Sequence, residues 1–336
     1  MHASRLVSAL ALARGPSIGL SIALSVVLSS ALPALAQSTP PPPAAALRLV
    51  VPLAPGGPSD QAARSLARAL SPLLGQDVVV ENKPGGNGAV GAQALAAAPA
   101  DGHTLLFAPA GMTGLPVLMK SPPFNSLNDY TPVAAVGGNQ ICLFVHPGLP
   151  VATTQEFVAY ARAHPDKLAY GMSSHGEYMA AAQVTQTTGI RLNRIPYRGS
   201  VQMMPDLLEG RVQLSFMPPG FGAAHAKAGR LKLLGCNAAQ RLPALPDVPT
   251  LAEAGVSSGG IRPYHFLVGP AQMPAAVTAR LATAIQRAAN EPGVRAEFEK
   301  LLIAVEVLGS EQTVAAIREG ERVWAQFVRE ADIRAE

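Results

Sequence analysis

Between Leu47 and Ala108 the chain alternates short apolar runs, glycine-rich turns and helical periods, and this alternation leaves few folds open. Residues 47–52, LRLVVP, are short, apolar and Pro-bounded, as a buried strand should be. A Gly/Pro loop over 53–60 comes next. Ala62, Ala63, Leu66, Leu70 and Leu73 then recur at helical spacing. A helix is therefore expected from Pro58, where a missing amide costs nothing and Ser59 and Asp60 suit the first turn. A second strand at 77–82 leads through a loop at 83–88 into an alanine-rich helix, which ends near Pro99. A third strand at 104–108 is succeeded by a third loop at 110–113. Strand, helix, strand, helix, strand at this spacing predicts an α/β fold with a parallel sheet.

The same logic returns after residue 150. Runs at 133–136 and 141–145 read as strands, and His146-Pro147-Gly148-Leu149-Pro150 breaks the pattern as a crossover. Thr153 with Glu156 forms a capping box for a helix that stops at His164-Pro165. Strands at 168–172, 191–195 and 211–217 alternate with helices ending at Gly189 and Gly210, and 264–270 reads as the return crossing. Helices marked by Val277, Leu281, Ile285 and Ala288, then by Ile317, Trp324 and Val328, are expected against the first domain. The resulting boundaries are 47–147 with 266–336 for domain 1, and 148–265 for domain 2. Two lobes and two interdomain crossings imply a cleft, with ligands beyond the carboxyl ends of the strands. The loops at 53–60, 83–88, 109–113, 172–178 and 196–200 lie at such ends.

Residues 1–36 have the form of a secretory signal. Arg5 and Arg14 precede an apolar run from Ile18 to Leu35, and Ala34-Leu35-Ala36 supplies a small-x-small cleavage pattern. Residues 37–46 are a stiff Pro-rich leader. Without Arg5 and Arg14, 24 basic residues face 22 acidic ones. So near-neutral a chain argues against nucleic-acid binding. Cys142 and Cys236 form a disulfide in an exported chain, or are two buried small residues on separate strands.

No catalytic, metal or cofactor set stands out. Gly86-Asn87-Gly88-Ala89-Val90-Gly91 matches the dinucleotide pattern, but no acid ends the next strand, Phe107-Ala108-Pro109. Gly171-Met172-Ser173-Ser174-His175 misses a nucleophile elbow because His175 takes the second Gly position. The seven His show no ligand spacing. What the residues do offer is an anion site: the flexible Gly56-Gly57 backbone and the first-turn amides of the helix at Pro58 suit a small carboxylate. Arg198, after Tyr197 in a Pro-bounded loop, either pairs such a carboxylate or packs on Tyr197 at the surface.

Pro55-Gly56-Gly57-Pro58-Ser59-Asp60 with Arg64, Val79-Val80-Glu81-Asn82-Lys83-Pro84-Gly85 and Asp101-Gly102-His103-Thr104 open a series of motifs. Pro196-Tyr197-Arg198-Gly199 and Leu245-Pro246-Asp247-Val248-Pro249-Thr250-Leu251 continue it. Together, and in this order, they resemble the Bug/TctC family, the extracytoplasmic solute receptors of tripartite tricarboxylate transporters. The resemblance implies a two-domain periplasmic binding protein of the Venus-flytrap, type II-like kind, closing on an organic acid in the periplasm. It also implies handover to two membrane transporter subunits, with a monomeric receptor expected. The site it implies comprises Pro55, Gly56, Gly57, Pro58, Ser59 and Asp60, with Ala110, Gly111, Ser173, Ser174 and Glu177, and the reading of the 196–200 loop adds Tyr197 and Arg198 as candidates. Glu177 departs from the family's serine and is an unwelcome neighbour for a dianion, so a monocarboxylate or an amine-bearing acid is expected. A secreted α/β hydrolase and a sensor feeding a signalling partner are the competing readings.

Overall fold

The computed structural model describes residues 45–124, 127–238, 240–256, 262–303 and 305–330. The segment read as a secretory signal, 1–36, and all but two residues of the Pro-rich leader lie outside these. The elements, in chain order, are β1 (Leu47–Val51), α1 (Pro58–Leu74), β2 (Val78–Asn82), α2 (Ala89–Ala96), β3 (Thr104–Pro109), a 3-10 segment (Ala110–Gly114), α3 (Leu115–Leu118), β4 (Tyr130–Gly137) and β5 (Cys142–Val145). Then come α4 (Thr154–Ala163), β6 (Ala169–Met172), α5 (His175–Thr188), β7 (Asn193–Pro196), α6 (Ser200–Leu208), β8 (Leu214–Met217), α7 (Pro219–Lys227) and β9 (Lys232–Cys236). The last are β10 (Tyr264–Pro270), α8 (Ala275–Ala289), α9 (Pro292–Lys300), β11 (Val307–Leu308) and α10 (Ser310–Glu330). Among the described residues no helix is long and apolar enough to cross a membrane.

Local chemistry sets these boundaries. Helix α1 begins on Gly57 with Pro58 at its first position, buries Ala62, Ala63, Leu66 and Leu70, and stops at Gly75. Gly75 sits at φ 66°, a left-handed conformation open to glycine without strain, and returns its amide to Ser71 O. Helix α4 starts on the capping box: Thr153 accepts from the Glu156 amide at 3.1 Å, and the Glu156 carboxylate accepts from the Ala152 amide at 2.6 Å.

Two sheets organise the described chain, ordered β11-β4-β10-β3-β1-β2 and β7-β6-β8-β5-β9. In the first, β2, β1 and β3 are parallel, while β10 runs antiparallel between β3 and β4. In the second, β7, β6 and β8 are parallel, and β5 runs antiparallel between β8 and β9. Each sheet is thus mixed where the spacing predicts a parallel one. The reason is shared by both: β5 and β10 are the strands by which the chain enters a lobe. A strand arriving from the other lobe starts at the cleft and runs away from it, against the βα strands that end there.

The crossings themselves shift. The sequence reading places the first at 146–150, yet β5 already pairs in the second sheet, so the chain leaves the first sheet between Gly137 and Cys142. An apolar run such as 142–145 carries no mark of the sheet it joins. The return reaches β10 through Arg262-Pro263, and β10 is a fully buried strand of the first sheet. Cys142 and Cys236 face each other across β5 and β9 and are joined in a disulfide.

The first sheet is covered on one face by α1, α8 and α9 and on the other by α2, the 3-10 segment and α10. A small cluster of Leu118, Met179, Trp324 and Phe327 ties α5 of the second lobe to α3 and α10 of the first. Trp324 is fully buried there.

Candidate functional site

A cavity of about 100 Å³ lies between the lobes. Residues at or just beyond the cleft-facing strand ends build its wall: Leu53 after β1, Pro109, Ala110 and Gly111 at β3, Ser174 and Gly176 after β6, Pro218 after β8 and Asn237 after β9. Asn139, Gln140 and Ile141 of the first crossing and Pro263, Tyr264 and His265 of the return complete it, with Ser59 and Met179. A second hollow of about 40 Å³ adjoins it, sharing Leu53, Ser59, Ser174 and Pro218 and adding Gly57, Asp60, Ser173, Glu177, Ser200 and Phe221. Neither wall carries a Lys or an Arg.

Three helices of eight or more residues begin at the larger cavity, and a fourth, α6, begins at the adjoining hollow with Ser200. Ser59 is the second residue of α1, Ser174 the N-cap of α5 and Pro218 the N-cap of α7. Helix α1 has no side-chain cap, so its Ser59 and Asp60 amides keep the unmet donor capacity of a first turn. The lobes touch closely here. A Cβ on Gly111 would lie 2.7 Å from the Gly176 nitrogen, and one on Gly57 would lie 2.8 Å from the Phe221 ring.

At the crossings a chain of hydrogen bonds runs in one direction. His265 Nδ1 lies 3.0 Å from the Gly137 carbonyl, which only accepts, so that nitrogen carries the proton. Nε2 is then an acceptor, and the Ser59 hydroxyl 2.9 Å away donates to it. Ser59 Oγ in turn accepts from Asn139 Nδ2 at 3.1 Å. Burial pushes the His265 imidazole down to about 4 against the Gly137 bond that raises it, so the ring is neutral at pH 7. Phe107 stacks on it with centroids 4.4 Å apart.

Two buried carboxyls stand at the helix starts. Asp60 accepts from the Gly56 amide (2.9 Å), Asn82 Nδ2 (2.9 Å) and Arg64 Nε (3.0 Å). Burial raises its pKa, but the bonds from Arg64, Gly56 and Asn82 outweigh burial and hold it below the ordinary carboxylate range. Glu177 accepts from the Ser173 amide at 2.5 Å and from the Ser173 and Ser200 hydroxyls. Burial without a cation lifts it to about 7 despite those bonds. Among the described residues no three His, Cys, Asp or Glu are grouped to hold a metal.

The sequence matches the family profile described as "Tripartite tricarboxylate transporter family receptor", TctC, over residues 62–333. The chain is a TctC-family receptor. Protein BugT of Bordetella pertussis (strain Tohama I) is 31% identical over 293 residues, covering 86% of this chain and 90% of that one. The solved periplasmic binding protein BugD superposes with a TM-score of 0.82 at 27% identity, over 88% of this chain and 100% of that one. Rpa4515 of R. palustris, solved with adipate, gives 0.80 at 28% identity, over 86% and 98%.

Within this TctC receptor, the residues singled out from sequence divide into two groups. Gly57, Ser59, Asp60, Ala110, Gly111, Ser173, Ser174 and Glu177 line one or both cavities. Pro55 and Gly56 are exposed and line neither, and the Gly56 amide is spent on Asp60. Pro58 is buried as the first residue of α1. Tyr197 donates to Asp206 at 2.5 Å, away from both cavities, and Arg198 is exposed and lines neither. No residue of 83–88 reaches them; Gly91 instead packs on Pro52. The loop expected at 110–113 is the 3-10 segment, and the 175–178 part of the loop expected at 172–178 is the first turn of α5. Sequence reasoning misses Asn139, Asn237 and His265. A polar Asn139-Gln140 pair behind Gly137-Gly138 was the available signal, as was the Ser174-x-x-Glu177 spacing of a second capping box.

Proposed function

We propose that this receptor, exported by a cleaved signal over residues 1–36, captures a small organic carboxylate between its lobes in the periplasm. It then presents the acid, as a monomer, to two membrane subunits of a tripartite transporter and makes or breaks no bond itself. The observation that carries this reading is the convergence of the α1, α5 and α7 N-termini on a cavity without cationic side chains. Helix starts favour negative charge by about 0.3–1 kcal/mol each, more when partly buried, and present amides to a carboxylate. Asp60 does not cancel them, being neutralised by Arg64, and Glu177 at about 7 is half protonated at neutral pH. The adipate held by Rpa4515 is an acid of the class this wall would take. A cavity of about 100 Å³ has room for several water-sized groups, on the scale of a small acid.

Calorimetric titration of the purified receptor against a panel of small mono- and dicarboxylates tests the reading. Micromolar binding is expected, roughly 8 kcal/mol, with a matching rise in Tm by mass action. A receptor that binds no acid in the panel refutes it. Ester hydrolysis by the purified protein would favour the hydrolase reading instead.

A further inference from the structure

Glu177 puts an ionisable group into the wall of the smaller hollow with no cation to answer it. Glu177, Ser173 and Ser200 all line that hollow, and all three are buried. Ser173 Oγ lies 3.1 and 3.2 Å from the two carboxyl oxygens and 2.9 Å from Ser200 Oγ, which is itself 3.1 Å from Glu177 Oε1. Each hydroxyl has a single hydrogen to give. An ionised Glu177 only accepts and draws both hydrogens to itself, so the hollow meets a negative charge and two spent hydroxyls. A protonated Glu177 can donate to Ser200 Oγ, which frees the Ser200 hydrogen for a guest. One proton thus removes a charge and adds a donor.

Asp60, the other acid of the hollow, is paired with Arg64 and held below the ordinary carboxylate range. In the larger cavity His265 is pushed down to about 4 and Tyr264 up to about 12. Strand β8 and the 3-10 segment, on which α5 packs, carry no titratable side chain. The first such residue of α6 is Asp206, tied to Tyr197 and Arg211, and that of α7 is His225, in its last turn. On α5 itself His175 packs against Trp324, with ring centroids 6.1 Å apart. A guest carboxylate at the α5 start is therefore a second acid in a wall without Lys or Arg, and two such charges repel strongly at low dielectric. The proton that relieves them settles on the weaker acid, Glu177, which burial lifts to about 7. We infer that the receptor binds its acid together with one proton, taken up on Glu177. This rests on the carboxylate reading and adds a regulator to the same site: capture strengthens as the pH falls.

Titration calorimetry with lactate, pyruvate, butyrate, malate and adipate at pH 6, 7 and 8, each in buffers of low and high ionisation enthalpy, counts the protons. For the tightest binder of the five, uptake of about half a proton per acid is expected at pH 7, approaching one at pH 8. Affinity should be about tenfold weaker at pH 8 than at pH 6. Glu177→Gln should take up none and lose that pH dependence, whereas His175→Gln should keep both. Any protonation of the acid itself is common to all three proteins. Circular dichroism and Tm confirm that the variants fold, and the wild-type proton count stands without them. No uptake, release of protons, uptake that survives in Glu177→Gln or uptake that His175→Gln abolishes overturns the inference and leaves the carboxylate reading standing. Binding of none of the five at any of these pH values brings down both.

Discussion

The starts of α1 and α5 are the same construction with opposite electrostatics. Each comes after a cleft-facing strand, β1 or β6, and each places a serine and a buried acid in or beside its first turn. Asp60 and Glu177 are both third residues of their helices, where a carboxylate suits the helix dipole. Asp60 has Arg64 one turn on, in an ion pair at 3.0 Å, and stays charged. Glu177 has only serines and amides about it and is pushed up to about 7. A helix start alone therefore does not hold a buried carboxylate in its charged form; a cation within reach does. The first lobe offers a rigid loop fastened by a charge. The second offers a start whose charge varies across the physiological pH range.

Removing each acid separates the two. Asp60→Ala takes three hydrogen bonds from the 53–60 loop, while the half-exposed Arg64 keeps its bond to Asn82, so a loss of roughly 3 kcal/mol is expected in urea unfolding at pH 7. Because the folded-state pKa of Asp60 is depressed, its contribution is present above the ordinary Asp range and fades as the pH falls below it. Glu177 has the opposite sign. Its folded pKa is raised from 4.5 to about 7, so the native state holds the proton more tightly and stability falls as pH climbs between those values. By linkage that fall is on the order of 2–3 kcal/mol. Glu177→Gln should flatten it and raise Tm at pH 8. A pH-independent difference between the two proteins would contradict the assignment.

Closure makes a smaller difference. Gly111→Val sets a side chain against the Gly176 backbone, which cannot move aside as a side-chain tip can. It should disfavour the closed form by about 2 kcal/mol and weaken acid binding roughly 30-fold, with Asp60 and Glu177 untouched. Small-angle scattering with and without saturating acid would register the lobes failing to close. Arg198→Ala should matter least. Its side chain is exposed and lines neither cavity, so stability and acid affinity should change by less than about 0.5 kcal/mol.

The helix starts were legible because they are local. Gly57-Pro58-Ser59-Asp60 and Thr153-x-x-Glu156 act through amides within four residues, and their roles come from spacing alone. Arg198 shows where that legibility stops. The loop carrying it lies at the end of a strand, as its spacing predicts. The direction of a side chain there depends on β7, the exposed edge of its sheet, and on Tyr197 turning to Asp206. His265 is hidden differently. Within the buried strand β10 it resembles any core histidine, and it gains meaning only from Ser59, 206 residues earlier, and from Gly137.

From the amino-acid order alone came the two α/β lobes, the anion-favouring start of α1 and the family resemblance, because strand period, helix period and end-capping are short-range physics. Tertiary structure alone decided that Asn139, Asn237 and His265 line one cavity, that Asp60 is charged while Glu177 is poised near 7, and that Arg198 stays outside. Burial, partner and direction are set by segments that meet only when two crossings bring the lobes together, and no spacing along the chain encodes that meeting.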